Sequence, residues 1–325
     1  MSELGADAVR PEAAHRISQL VGRDDRILIT GAGGWFGQTT LALLVAGCGA
    51  DVLGRVLATG SSARTVRRSG YDVQVETPTK EQIVAFEPTA VINCAFPTRD
   101  KVAVLGWDEY VATATRLTAQ WLELLNLPSV RAAVTFSSGA ALRLGGEVGE
   151  WDALGNPYGY LKRVEEDLTL QVGRRLGVGV TVLRTWSVSG AFVGQPGVYA
   201  FSDLINQARA GQIEVRAEHE VWRRYCGIDD AIAVAWSLAS AGGQQLVSTG
   251  GTLVEVGELA SRIAEIVGGR CPVERPTPLR GSPDEYFDRA NGFADAAATT
   301  RFTPAGLDEQ IRAVARALPG ASSAR

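Results

Sequence analysis

Histidine, cysteine and surplus positive charge are scarce in this chain, and each scarcity narrows what it can do. Two histidines, His15 and His219, stand far apart in 325 residues. That leaves almost nothing for a histidine metal site or a Ser-His-Asp triad. The four cysteines, Cys48, Cys94, Cys226 and Cys271, have no C-x-x-C spacing and are read as buried free thiols. With 32 Lys and Arg against 36 Asp and Glu, the net charge is -4 and the arginines are scattered. Neither nucleic acid nor an anionic membrane finds a footprint there, so a small-molecule partner is expected. No apolar run approaches the ~20 residues of a membrane span, and "MSELGADAVRPEAAHRI" lacks the apolar core of a signal peptide. The chain is therefore read as cytoplasmic.

What is present is alternation. From Arg26 onward the apolar, β-rich runs "RILIT" (26–30), "RVLAT" (55–59), "AVINCAF" (90–96), "AAVTFSS" (132–138) and "GVTVLRTW" (179–186) are separated by helix-length segments. Near-continuous apolar strands spaced in this way describe an α/β doubly wound parallel sheet covered on both faces. The pattern loosens near Gly190, returns with "RRYCGIDDAIAVAWSLASAG" and "QQLVSTGG", and leaves again for a Pro-rich stretch. A nucleotide-binding domain of 1–190 and 224–250, with a smaller, discontinuous substrate domain of 191–223 and 251–325, follows. The first 25 residues are expected to lay a short helix on the sheet.

"RILITGAGGWFGQTTLALL" reads as strand, glycine turn, helix. Gly31, Gly34 and Gly37 permit the tight turn and a close approach of backbone to a pyrophosphate, with Trp35 and Phe36 opening the helix whose N-terminus receives it. The alternative is a glycine turn that only packs helix on strand. After the second strand, NAD binders commonly carry an acid for the ribose hydroxyls. Here stand Ser61, Ser62 and Arg64, with Arg67 and Arg68 behind. Hydroxyls plus a guanidinium suit a 2'-phosphate, which favours NADP(H) over NAD(H); a solvated basic loop is the other reading.

Ser137 and Ser138 end the strand at 132–138, where ligands of open α/β sheets bind. Twenty residues later, "NPYGYLKRVEEDL" sets Tyr158 and Lys162 four apart on one helix face. An ammonium beside a phenol lowers its pKa from about 10 toward the range of an acid/base catalyst. A bare Y-x-x-x-K is also common on solvated helices.

Taken together, G-x-x-G-x-x-G after the first strand, Ser-Ser ending a later one and P-Y-G-x-x-K-x-x-x-E opening the next helix resemble the extended short-chain dehydrogenase/reductase family, in particular its nucleotide-sugar branch. The resemblance runs from Arg26 to about Asp308. It implies a Rossmann fold, a bound nicotinamide contacted also by Ala95 and Val188, Tyr158 as acid/base, Lys162 on the nicotinamide ribose, and Ser138 on the reacting oxygen. "LRTWSVSGAF" is similar to the family segment touching the nicotinamide, with Ser187 for the usual Asn and Val188 for the usual Pro. "VWRRYCGIDDAI" resembles the segment whose arginine contacts a substrate diphosphate; Arg223 matches it, and an ion pair with Asp229 or Asp230 is its other reading. Arg224, Arg280 and Arg289 are further candidates for the diphosphate. The resemblance also implies a homodimer through helices near 108–125 and 157–175, to which the apolar surface of "LTAQWLELL" would contribute.

Departures choose among reactions. The dehydratases follow the serine position with Asp-Glu; here Gly139 and Ala140 follow Ser138. The epimerase-reductases use a Cys and a His where this chain has Gly139 and Gly227. Simple hydride exchange at one carbon remains. A 4-ketoreductase of a nucleotide-activated sugar leads. A 4-epimerase with tightly bound NAD, a reductase of a non-sugar ketone and, last, an NADP-sensing regulator without turnover follow it.

Overall fold

The computed structural model describes residues 8–68, 70–142 and 153–318. Residues 1–7 and 319–325 at the two ends lie outside the described residues.

Fourteen strands and eleven helices follow one another among the described residues. The strands are β1 (Ile27–Thr30), β2 (Val56–Thr59), β3 (Arg64–Arg68), β4 (Tyr71–Glu76), β5 (Ala90–Asn93), β6 (Ala132–Ser138), β7 (Gly179–Thr185), β8 (Ser187–Ser189), β9 (Ile213–Glu214), β10 (Val221–Gly227), β11 (Gln244–Ser248), β12 (Thr252–Glu255), β13 (Val273–Glu274) and β14 (Asp284–Tyr286). The helices are α1 (Pro11–Leu20), α2 (Trp35–Cys48), α3 (Lys80–Phe86), α4 (Lys101–Leu105), α5 (Trp107–Leu125), α6 (Pro157–Leu176), α7 (Ala200–Ala210), α8 (Ile228–Ser240), α9 (Val256–Ile266), α10 (Phe293–Thr299) and α11 (Leu307–Ala317).

The main sheet has eight strands in the order β11-β7-β6-β5-β1-β2-β4-β3. Every pairing is parallel except β3 against β4. The order turns back at β1, whose neighbours are β2 and β5, and a ligand crevice opens beyond the strand ends at such a point. Ile27 and Ile29 enter the core shared with α2 and α8, whereas Leu28 joins the opposite core with Trp121 and Leu125 of α5. Burial on both faces is what made these strands read as unbroken apolar runs.

Two expectations are corrected here. The stretch after β2, read as a loop, contains β3, which hairpins onto β4 and ends the sheet. Its Arg-Thr-Val-Arg-Arg sequence hides the strand because, of residues 64–67, Val66 alone is partly buried. The N-terminal helix α1 lies on helices α2 and α8, not on the sheet. Gly47 permits this, since a Cβ there would stand 2.2 Å from the Ala14 carbonyl oxygen.

The C-terminal elements build a separate apolar cluster from Phe201, Leu204, Ile205, Leu259, Ile263 and Ile311. Beside it, β10 pairs with β12, β14 and β8. Trp121 is buried in the chain's own core, its indole N–H donating to the Thr169 hydroxyl at 2.8 Å, so it offers no surface to a second copy. Of the cysteines only Cys226 is buried; Cys48, Cys94 and Cys271 are half-buried, and all four are free thiols. Among the described residues no helix is long and apolar enough to cross a membrane.

Candidate active site

The glycine loop is built by close backbone contacts. Gly31 sits at φ +61, and a Cβ there would stand 2.6 Å from the Cys94 carbonyl oxygen. Ala95 is drawn in at the same place, its backbone nitrogen 2.9 Å from that position. Gly37 presses the first turn of α2 onto the loop, with Ala32 Cα 2.5 Å from where its Cβ would be. Gly34 is the N-cap, without a side-chain cap and with no acid in the first turn, so the N–H groups beside Trp35 and Phe36 have no carboxylate competing for them. Free amides at a helix N-terminus form a cradle for a phosphate group, and side chains at Gly31 or Gly37 would destroy it.

Ser61 and Ser62 are exposed in the turn after β2. Arg64 begins β3 and turns back over the loop: a Cβ on Gly33 would overlap its guanidinium. No hydrogen bond or ion pair of the Arg64 side chain is found among the described residues. A cation and two hydroxyls therefore flank the glycine loop, with no acid in the turn that follows β2.

The second cluster gathers at the ends of β5 and β6. Ser138 is buried, its hydroxyl accepting from the Ala140 N–H at 3.2 Å. Tyr158 comes from the first turn of α6, which Asn156 caps by accepting from Gly159 N–H at 3.0 Å and Pro157 begins. Gly159 lets this helix start abut the turn at 139–141, since a Cβ there would lie 2.4 Å from the Ala140 carbonyl oxygen. Burial pushes the Tyr158 phenol above its ordinary value; the nearby Ser138 hydroxyl opposes this, the Glu165 carboxylate adds to it, and Arg99 opposes it.

Lys162 has a partner that the sequence reading did not single out. Its ammonium donates to the Phe136 carbonyl at 2.7 Å and to Glu165 Oε2 at 2.8 Å, and lies 3.6 Å from the Phe96 ring centroid. The Phe96 ring also meets Tyr158 edge-on at 6.2 Å. In place of the expected lowering, the phenol stands above its ordinary value, chiefly through burial, with the Glu165 carboxylate adding to the rise. Glu165 escaped the sequence reading, although its i,i+3 spacing from Lys162 was a usable signal. Its neighbour Glu166, the glutamate of the motif, turns instead to Arg184, with two contacts of 2.8 and 2.6 Å.

On the substrate side, Ser187 and Val188 lie in β8 and pair with Tyr225 and Cys226. Trp186 was not singled out, yet its indole fills the space beside Gly139: a Cβ there would lie 2.3 Å from the ring. Tyr286 packs on Trp186 at 4.8 Å and reaches the Ser138 hydroxyl at 3.2 Å. Arg223 is engaged, but not by Asp229 or Asp230. It donates to Asp284 Oδ2 at 2.6 Å and to the Asp284 carbonyl at 2.9 Å. Asp230 is taken by Arg10 at 2.6 Å, from the N-terminal segment. Arg289 pairs with Glu285, and Arg224 donates to the carbonyls of Asp288 and Gly251.

Comparison with known proteins bears on the whole arrangement. No curated protein sequence matches the chain. Among solved structures, MoeE5 in complex with UDP-glucose and NAD is 22% identical, with 90% of this chain and 100% of that one covered and a TM-score of 0.65. The UDP-glucose 4-epimerase of Thermus thermophilus with NAD is also 22% identical, covering 91% and 99%, TM-score 0.64. The Brucella ovis UDP-glucose 4-epimerase with NAD is 20% identical, covering 90% and 98%, TM-score 0.68. At such identities these likenesses establish the fold. The model of the NAD dependent epimerase/dehydratase family matches residues 27–248, and the chain, an NAD(P)-dependent enzyme of the extended short-chain dehydrogenase/reductase type, belongs to that family.

Proposed function

We propose that the chain exchanges a hydride between a nicotinamide dinucleotide and one carbinol carbon of a nucleotide-activated sugar, with Tyr158 carrying the proton and Ser138 holding the reacting oxygen. The observation that carries this reading is the packing of the first turn of α6, which bears Tyr158, against the turn that follows Ser138 at the carboxyl end of β6, with Gly159 abutting the Ala140 carbonyl. Gly31, Gly34 and Gly37 would hold the pyrophosphate, and Lys162 would reach the nicotinamide ribose. The cofactor supplies and takes up the hydride; Tyr158 supplies or removes the proton on oxygen. Dehydration finds no support, since Trp186 occupies the space beside Gly139 where an acid would be needed.

Two forms of this reaction differ in how the cofactor is used. The solved neighbours, UDP-sugar 4-epimerases with NAD, support an epimerase. The protonated bias of Tyr158 and Arg64 beside the loop, with no ion pair among the described residues, support a 4-ketoreductase fed with NADPH. One experiment separates them: assay the purified chain for retained NAD, then offer UDP-glucose and UDP-galactose without added cofactor, and a 4-keto nucleotide sugar with NADPH. Interconversion with no net change in cofactor identifies the epimerase, and stoichiometric NADPH consumption the reductase. In either form Tyr158→Phe should lower turnover by about 10²-fold or more with cofactor affinity nearly intact. Parent-like turnover of that variant would refute the reading.

A further inference from the structure

Glu165 is a buried carboxylate that the proposed chemistry does not use, and its surroundings are unusually complete. The Lys162 and Glu165 side chains are 5% and 3% exposed, so their charges are screened by one another more than by water. Glu165 Oε2 takes the ammonium, while Oε1 accepts from Asn93 Nδ2 and from the Thr135 hydroxyl, each at 3.2 Å. Asn93 also donates to the Thr135 hydroxyl at 3.0 Å and accepts from the Thr30 hydroxyl at 2.5 Å. Thr30 immediately precedes Gly31. The carboxylate is therefore anchored from β5 and β6 directly and from β1 through Asn93, and cannot swing away without taking an acceptor from Lys162, Asn93 and Thr135.

We infer that Glu165 is a positioning residue: it closes Lys162 into a neutral pair and so keeps Tyr158 in its proton-donating form, favouring carbonyl reduction over alcohol oxidation. This rests on Tyr158 being the proton carrier. In the favoured direction the carbonyl carbon gains hydride from reduced nicotinamide and the C=O π bond breaks. The phenol's proton moves to the oxygen, and the phenolate regains a proton from solvent. In the reverse direction the phenol must first lose its proton, and that loss is what the closed pair opposes.

The other groups facing Tyr158 do not duplicate this role. Arg99, after β5, acts in the opposite sense. Tyr110 of α5 and Tyr199 before α7 feel Tyr158 electrostatically, but both are phenols held above their ordinary value by burial. Asp100 acts on those two phenols. Ser138 and, through it, Tyr286 contribute neutral hydroxyls. Glu166, the other buried carboxylate of α6, is fully engaged by Arg184.

The test is a tyrosinate titration followed by ultraviolet difference absorbance on the full chain, with the Tyr158→Phe spectrum subtracted to isolate one phenol from seven. In the parent, Tyr158 should ionise above the ordinary midpoint of about 10. Glu165→Gln leaves the ammonium unmatched and should give roughly tenfold or more phenolate at a given pH below the midpoint. The paired replacement Lys162→Met with Glu165→Leu removes both charges and should titrate like the parent. Coincident curves for parent and Glu165→Gln overturn the inference, as does a paired variant that follows Glu165→Gln. If Glu165→Gln does not fold, ionisation of the parent's Tyr158 below its ordinary range overturns it alone. A Tyr158→Phe enzyme with full turnover would sink the proposed function instead, and leave the titration standing.

Discussion

The two sides of the crevice hold their charges differently. Beside the glycine loop, the amides at the start of α2 meet no carboxylate and Arg64 has no ion-pair partner among the described residues. Across from it, Arg223 is bound to Asp284, Arg289 to Glu285, and Arg224 to two carbonyls, which leaves Arg280 without an ion pair among the described residues. Unmatched donors gain the full value of an incoming anion, whereas paired ones must first give up a partner. If these sides bind phosphate as proposed, the cofactor side is preset for it, whereas on the substrate side Arg223, Arg224 and Arg289 must first exchange contacts and Arg280 need not.

The largest effect that would break this contrast is steric. Gly37→Val places a branched side chain where even a Cβ would stand 2.6 Å from the Gly31 carbonyl oxygen. Overpacking of this kind should cost roughly 1–3 kcal/mol in urea unfolding, and nicotinamide binding should vanish from calorimetry because the loop can no longer close. On the other side, Gly194 has nothing within 4 Å of its Cβ position, so Gly194→Ala should stay within about 0.5 kcal/mol of the parent and bind cofactor normally. Equal damage from both would show that the loop is not specially built.

A smaller effect concerns cofactor choice. Arg64→Ala should remove one charge-assisted contact, weakening NADPH by ~1.5–3 kcal/mol in direct binding while leaving NADH nearly unchanged. If both cofactors weaken alike, Arg64 serves the pyrophosphate. If neither changes, it is a solvated edge-strand residue and the preference for a 2'-phosphate falls.

The same contrast explains which parts of the molecule were legible in sequence. Gly31, Gly34 and Gly37 report local backbone geometry, and the strands flanking them report burial on both faces; each is a short-range property that residue order encodes directly. The hairpin of β3 and β4 was not legible because its arginines and threonine look polar until the sheet edge supplies their partners. Residues 223 and 284 are 61 apart in sequence, and no local pattern announces that pair. Glu165 lay within reach, since Lys162 and Glu165 share a helix face, but the motif glutamate is Glu166. A step of one residue rotates a side chain by about 100° around the helix, which here separates the site-facing carboxylate from the one that braces Arg184.

The smallest expected effect tests whether the paired side can open. The Arg223 to Asp284 contact has side chains 20% and 39% exposed, and a partly solvated pair of this kind is worth only about 0–1 kcal/mol. Asp284→Asn should therefore leave thermal stability almost unchanged while releasing the guanidinium. If Arg223 receives a substrate diphosphate, that release should tighten UDP severalfold in calorimetry, and Arg223→Ala should weaken it by a similar factor. If Arg223 only braces β14 against β10, neither variant will move UDP affinity. Both should instead disturb Tyr286, which stands opposite Arg223 in the strand register and touches the Ser138 hydroxyl. Opposite signs in the two variants would make the substrate side a gated version of the cofactor side, with Asp284 holding the place that phosphate takes.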